Sequence, residues 1–163
     1  RSPPWSRARR LRTPRGATWC HGSDGHRDRR RAHRAGAWVE YLRATGSPAH
    51  LRLRELIAAA GELATTEVVT MELLAGVATA EAVTRLRRLL LRFQLLPIEG
   101  LADYEAAAAL YRHCRARGET VRSTVDCLIA VVAMRHRATL LHRDHDFEVI
   151  ARHTPLRTAG AGR

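Results

Sequence analysis

The sequence predicts one α/β domain with a mostly parallel sheet, preceded by a segment of different composition. The chain has 163 residues, which is the length of one ordinary domain. Apolar residues make up 45% of it, enough to build a core. From residue 37 onward, helical patterns alternate with short apolar runs. Such alternation is typical of a parallel sheet flanked by helices.

The first 36 residues form the segment of different composition. They hold 11 arginines against two aspartates, a net charge of +9 out of +12 for the whole chain. Leu11 is their only Leu, Ile, Val, Met or Phe residue. A segment so poor in large apolar side chains cannot build a core, so we expect residues 1–36 to be disordered. The alternative interpretation is a basic arm that contacts nucleic-acid phosphates.

Local signals mark most elements of the domain. Pro48 can open the second helix, and Thr66 and Thr79 can cap the third and the fourth. Gly76 stands where a left-handed stop is expected, and Gly118 directly follows the helix predicted for residues 101–117. The predicted strands cover residues 63–65, 93–98 and 139–141. The predicted helices cover residues 37–43, 48–60, 66–75, 101–117, 123–137 and 147–152, and one more helix begins at residue 79.

The cysteines and the apolar runs argue against several further classes of protein. Cys20, Cys114 and Cys127 are an odd number without CxxC spacing, which argues against a disulfide framework or a structural zinc site. No window reaches the roughly 18 consecutive apolar residues of a membrane span, and no secretory signal is visible at the start. We therefore expect a soluble protein of the reducing cytoplasm, without a membrane partner.

Four carboxylates adjoin segments that resemble the core: Glu72, Asp126, Asp144 and Asp146. Asp144 and Asp146 directly follow an apolar strand, and ligand groups gather beyond the carboxyl ends of parallel strands. Two carboxylates held so close repel each other, and a divalent ion relieves that repulsion. Ligands that are all oxygen suit Mg²⁺ or Mn²⁺. The chemistry that this combination suggests is phosphodiester hydrolysis.

Each of the four carboxylates also has a purely structural explanation. Glu72 can be an exposed helical glutamate, and Asp126 can close a capping box that starts three residues earlier. Asp144 can pair with Arg143, and Asp146 can be the N-cap of the last helix. Because the chain has neither a glycine-rich phosphate loop nor a nucleophile elbow, four such carboxylates together favour a metal site.

Three segments of the chain resemble motifs of the PIN-domain nucleases, most closely those of VapC toxins from bacterial toxin and antitoxin pairs. They are residues 70–76, 121–130 and 141–147, in the order and at about the spacing of that family. The resemblance implies a PIN-like three-layer fold and a metal-dependent ribonuclease, a hydrolase in which Glu72, Asp126, Asp144 and Asp146 hold Mg²⁺ and cut RNA. It also implies transfer or ribosomal RNA as substrate, a homodimer, and a small VapB-like antitoxin as partner.

The chain departs from that family at the first motif, an apolar strand that ends in an aspartate. Here Arg34 replaces the aspartate and the Arg-rich run 28–31 replaces the strand, so we expect the first strand to be absent or degraded. Codons for residues 27–31, read one base later, can spell an apolar run that ends in an acid. This motivates the hypothesis that residues 1–36 were translated out of frame.

These observations together predict a PIN-like domain over residues 37–157 and a tail over residues 158–163. We expect its ribonuclease activity to be impaired, because the first catalytic aspartate is lacking. The alternative is a non-catalytic remnant that binds RNA or the antitoxin.

Overall fold

A computed structural model describes residues 31–33, 35–42, 44–59 and 63–160 of the chain. The predictions for residues 1–30 and for Arg34 lie outside these residues. In chain order the elements are β1 (Arg31–His33), α1 (Ala35–Leu42), α2 (Pro48–Ala58), β2 (Leu63–Thr66), α3 (Glu67–Ala75), α4 (Ala80–Leu90), β3 (Gln94–Leu96), α5 (Gly100–Arg115), α6 (Thr124–Arg135), β4 (Thr139–His142), α7 (His145–His153) and β5 (Arg157–Gly160).

The five strands of the described residues form one parallel sheet in the order β3-β2-β1-β4-β5. The predicted α/β class with a parallel sheet is confirmed. β1 lies at the centre, where Ala32 is in register with Ala64 of β2 and with Leu140 of β4. The first strand, expected to be absent or degraded, is present with three residues. Its backbone joins the two halves of the sheet, although its sequence lacks the apolar run that is usual at this position.

The folded unit is longer at both ends than the predicted range 37–157. β1 and the first two residues of α1 precede residue 37. β5 extends into the predicted tail and pairs with β4. The register runs from Thr139 opposite Arg157 to His142 opposite Gly160. The tail prediction is therefore wrong for residues 158–160. Pairing with β4 places these residues in the sheet, and their own sequence carries no strand pattern.

Helix caps follow the local sequence closely. Ser47, Thr66 and Thr79 each accept a hydrogen bond from the backbone amide three residues further on, and they cap α2, α3 and α4. Gly118 has a φ of +75°, as expected after α5. Gly76 has a φ of −82°, so the prediction of a left-handed stop after α3 is wrong.

The core lies between the sheet and the helices that cover it. β2 is buried at all four positions, and α6 buries eight consecutive residues from Asp126 to Ala133. α6 packs against α5, α7, α3 and β4, which explains why no face of its middle part reaches solvent. No helix in the part of the chain that the structure describes combines the length and the apolar character needed to cross a membrane.

Candidate active site

Asp144 and Asp146 lie where β4 ends and α7 begins. Asp144 is the N-cap of α7, because its Oδ1 accepts a hydrogen bond of 3.0 Å from the backbone amide of Asp146. The side chain of Asp146 is 3% exposed and that of Asp144 is 22% exposed. The structure thus brings these two carboxylates together beside the carboxyl end of a strand. The alternative that Asp146 caps the last helix is wrong.

Arg122, in the loop before α6, binds both carboxylates. Its Nε donates to Asp146 Oδ1 at 3.0 Å and its Nη2 donates to Asp144 Oδ1 at 2.7 Å. Its backbone amide donates to Asp146 Oδ2 at 2.8 Å. The hydrogen bond and charge of Asp146, followed by those of Asp144, raise the pKa of the Arg122 guanidinium above its ordinary value.

The sequence did not predict Arg122 as a site residue. The only available signal was its place inside the segment 121–130, four residues before Asp126. The alternative partner suggested for Asp144 was Arg143, and that pairing is wrong. Arg143 instead donates to Glu40 of α1 at 3.1 Å, because its side chain leaves the β4 end on the side of α1.

Asp126 lies in the first turn of α6 and is 1% exposed. Ser123 occupies the N-cap position, but its side chain makes no capping hydrogen bond, so it does not complete a capping box with Asp126. Burial and nearby charges raise the pKa of Cys127 to about 12, and Asp126 and Asp146 are among these charges. The backbone amide of Arg122, two residues before α6, binds Asp146, and α6 packs against α7, so the start of α6 lies near Asp146.

Glu72 lies in the middle of α3 and is partly buried. Its Oε2 is buried and has no hydrogen-bond partner among the residues that the structure describes. A carboxylate oxygen in that position loses water without replacement, which costs free energy. Glu72 is therefore not a fully exposed helical glutamate. α3 packs against α6, so the helices that carry Glu72 and Asp126 are neighbours.

The four carboxylates suit a hard divalent ion by chemical type, but their arrangement does not fit one. All the donors are oxygens, and Glu72 Oε2 is without a protein partner. Within residues 31–33, 35–42, 44–59 and 63–160, however, no three His, Cys, Asp or Glu side chains form a group that could hold a metal ion. Arg122 already binds Asp144 and Asp146. The structure joins these two carboxylates and does not bring all four predicted ligands into one site.

Comparison with known proteins assigns the family. The PIN domain profile matches residues 35–153. Ribonuclease VapC11 of Mycobacterium tuberculosis and VapC ribonuclease Mb1587 of Mycobacterium bovis are each 48% identical to this chain over 124 residues, which are 76% of this chain and 92% of theirs.

Solved structures share the fold at low sequence identity. VapBC2 from Rickettsia felis, bound to a promoter DNA fragment, has a TM-score of 0.62 and 19% identity over 79% of this chain and 96% of its own. FitAcB from Neisseria gonorrhoeae has a TM-score of 0.59 and 18% identity over 80% of this chain and 96% of its own. Because the PIN domain profile matches residues 35–153 and the two ribonucleases are 48% identical, the chain belongs to the PIN-domain family, as a VapC-type toxin.

Proposed function

We propose that this chain is a VapC-type ribonuclease toxin whose cleavage of RNA is weak or absent as the chain stands. Its 48% identity to ribonuclease VapC11 supports the reaction class. The observation that supports weak activity is the arrangement of the acidic side chains. Arg122 binds Asp144 and Asp146, and no three acids converge among the described residues.

The cofactor that we propose for an intact site of this kind is Mg²⁺ or Mn²⁺. PIN-domain ribonucleases generally use divalent metal ions, and oxygen donors are the ligands that these two ions prefer. Arg34 stands where the family that the chain resembles has an aspartate. A guanidinium about 5 Å from a divalent ion is unfavourable by roughly 7 kcal/mol at an effective dielectric constant of about 20. An arginine there therefore weakens metal binding as well as removing a ligand.

The partners that we propose are an RNA substrate and an antitoxin. The resemblance points to transfer or ribosomal RNA, to a VapB-like antitoxin, to a homodimer and to a cytoplasmic location. Solved structures with this fold support an antitoxin partner. They include VapBC2 and a toxin and antitoxin complex from Klebsiella pneumoniae, which has a TM-score of 0.57 and 21% identity over 72% of this chain and 89% of its own.

The experiment compares this chain with a variant in which residues 30–36 are replaced by the sequence Val-Ile-Val-Val-Asp-Thr-Ser. Both proteins are incubated with transfer RNA and Mg²⁺, and cleavage products are measured over time. We expect the replaced variant to cleave more than about 100-fold faster, since this factor corresponds to less than half of the electrostatic penalty above. Asp126→Asn in the replaced variant is the control for contaminating nuclease and should abolish cleavage. Equal cleavage by the two proteins would contradict the proposal.

The second candidate is a non-catalytic module that binds RNA or the antitoxin. The charge of +12 is the observation that favours it, because arginines bind phosphates without any metal. This candidate predicts an RNA affinity that EDTA and Asp126→Asn leave unchanged and that falls steeply as the salt concentration rises. An affinity that requires Mg²⁺ and depends on Asp126 excludes this candidate.

A further inference from the structure

The positive charge of the domain is concentrated on α4. Residues 80–92, which comprise α4 and the turn after it, hold four arginines against one glutamate, a net charge of +3. Residues 37–163 as a whole hold 17 arginines against 14 acids, which is also a net charge of +3. Outside residues 80–92, this part of the chain is therefore electrically balanced, with 13 arginines and 13 acids.

Three of the four arginines follow one another along the exposed side of α4. Leu86 and Leu90 are the buried residues of the helix, whereas Arg85 and Arg88 are exposed and lie three residues apart, on one face. Arg92 is exposed and follows four residues later, in the turn directly after the helix. We call Arg85, Arg88 and Arg92 the arginine stripe. At a rise of about 1.5 Å per residue, the stripe is about 10 Å long.

The arginine stripe is not engaged within the part of the chain that the structure describes. None of its three side chains forms an ion pair or a hydrogen bond there. The arginines of residues 112–122 differ in this respect. Arg115 lies over the ring of Tyr111, and Arg117 and Arg122 bond to other side chains. The stripe can therefore bind an external anion without losing a contact to a described residue.

We propose that the arginine stripe binds phosphates of the RNA substrate. The inference rests on the proposed function, because it takes RNA as the substrate. Guanidinium groups bind phosphate oxygens through paired hydrogen bonds, and they need no metal to do so. The location also suits a substrate contact, since α4 packs against α3, the helix that carries Glu72. Packed helices lie about 8 to 10 Å apart, so the stripe belongs to a neighbour of the candidate active site.

The test measures RNA affinity in the full chain after Arg85→Gln, Arg88→Gln and Arg92→Gln are combined. The matched control combines Arg54→Gln, Arg112→Gln and Arg115→Gln, which remove the same charge from exposed positions on α2 and α5. Binding of fluorescent transfer RNA is followed by anisotropy in EDTA, at salt concentrations from about 50 to 300 mM. Residues 1–36 carry the same charge in every variant, so differences between variants report on the substituted helices.

The stripe variant should bind transfer RNA at least about tenfold more weakly than the parent chain. Because each phosphate contact contributes about 0.7 to 0.9 to the slope of log affinity against log salt, this slope should fall by about 2. The control variant should lose less than about threefold in affinity and keep most of the slope. An unchanged affinity in the stripe variant, or equal losses in both variants, would overturn the proposal.

Lysine at the same three positions separates loss of phosphate contacts from loss of structure. It retains the charge on α4, so this variant should keep nearly the salt slope of the parent. A slope as low as that of the glutamine variant would contradict the proposal. All the variants should unfold within a few degrees of the parent, because the substituted side chains are exposed.

Leu91 distinguishes RNA from a protein partner at this surface. Its side chain is 75% exposed beside Arg92, and a protein that docked on α4 would cover it. Leu91→Ser should leave the affinity for transfer RNA unchanged, and a loss as large as that of the stripe variant would contradict phosphate contacts as the source of binding. The binding measurement involves no cleavage. If the chain with residues 30–36 replaced fails to cleave RNA, the proposed function fails while the stripe can still bind RNA.

Discussion

Cys127 is a buried thiol on α6 whose ionisation is coupled to the carboxylates around it. Burial is the largest cause of its raised pKa, followed by electrostatic interaction with Cys114, Asp126 and Asp146. The pKa moves from 9.0 to about 12, so the folded chain keeps a proton that the unfolded chain loses above pH 9. The stability that this thiol contributes is complete below pH 9 and is lost progressively as pH rises towards 12.

Cys127→Ala should therefore flatten the alkaline loss of stability. Between about pH 9 and 11, the slope of the unfolding free energy against pH should be shallower by up to about 1.4 kcal/mol per pH unit, the value for one proton. Urea unfolding at a series of pH values measures both slopes. Parallel slopes for the parent and the variant would show that the thiol ionises equally in the folded and unfolded states.

Thr66 joins β2 to α3 as a buried N-cap, with its Oγ1 accepting from the amide of Val69 at 3.2 Å. Thr66→Ala leaves that amide without its partner, and we expect a loss of about 1 to 2 kcal/mol in unfolding free energy. Thr66→Ser restores the acceptor and should recover most of the loss. A serine variant as unstable as the alanine variant would mean that the methyl group matters and the cap does not.

The sequence predicts a residue's role well when its partners lie a few positions away. The caps at Thr66 and Thr79 each bond to an amide three residues further on, so they were visible in the sequence. Arg122 bonds to carboxylates 22 and 24 residues away, and only the fold brings them together. For the same reason, the sequence suggested the acids as site residues but not the arginine that binds two of them.

At the scale of elements, Arg135 joins the end of α6 to the loop that leads into α5. Its guanidinium donates to both oxygens of Asp103, at 3.3 and 2.9 Å, and to Glu99 Oε1 at 2.9 Å. It also donates to the backbone carbonyl of Pro97. Asp103 is buried and in turn accepts from the backbone amide of Glu99. This cluster ties the segment between β3 and α5 to the C-terminal end of α6, whereas Arg122 precedes the N-terminal end of that helix.

Arg135→Ala should destabilise the fold by about 2 to 4 kcal/mol, because it leaves the Asp103 carboxylate buried without its cation. Arg112→Ala on the exposed face of α5 is the matched control and should change stability by less than about 0.5 kcal/mol. Chemical denaturation measures both. In a double-mutant cycle, Asp103→Ala should remove most of the cost of Arg135→Ala, and additive costs would contradict direct coupling of the pair.

The strands were less predictable than the helices. β2 and β4 each contain a pair of apolar residues, Leu63-Ala64 and Leu140-Leu141, within a largely buried strand, so their sequences signalled them. β1 and β5 have the sequences RAH and RTAG, which carry no strand pattern, and they form because neighbouring backbone groups pair with them. Among the described residues, α2, α3, α4 and α7 each have a side-chain cap that local sequence can reveal, at Ser47, Thr66, Thr79 and Asp144.

For the whole molecule, the centre of the sheet is a position where the sequence departs from the motif of the family that it resembles. Replacing residues 30–36 by Val-Ile-Val-Val-Asp-Thr-Ser puts apolar side chains into a strand with neighbours on both sides. Each buried Val or Ile side chain contributes about 1.5 to 3 kcal/mol, so we expect a gain above about 2 kcal/mol in unfolding free energy. Arg34→Asp alone changes the charge at this position but adds no apolar side chain to the strand, so it should give little of that gain. Denaturant unfolding that shows no gain for the full replacement would contradict a central role for this strand.

Cation binding by the unaltered chain tests most directly whether its acids form a metal site. Mn²⁺ titration, followed by the resonance of the free ion, should give a Kd weaker than about 1 mM for this chain. The variant with residues 30–36 replaced should bind one Mn²⁺ at least about tenfold more tightly. A single site of micromolar affinity in the unaltered chain, lost on Asp126→Asn, would contradict the account.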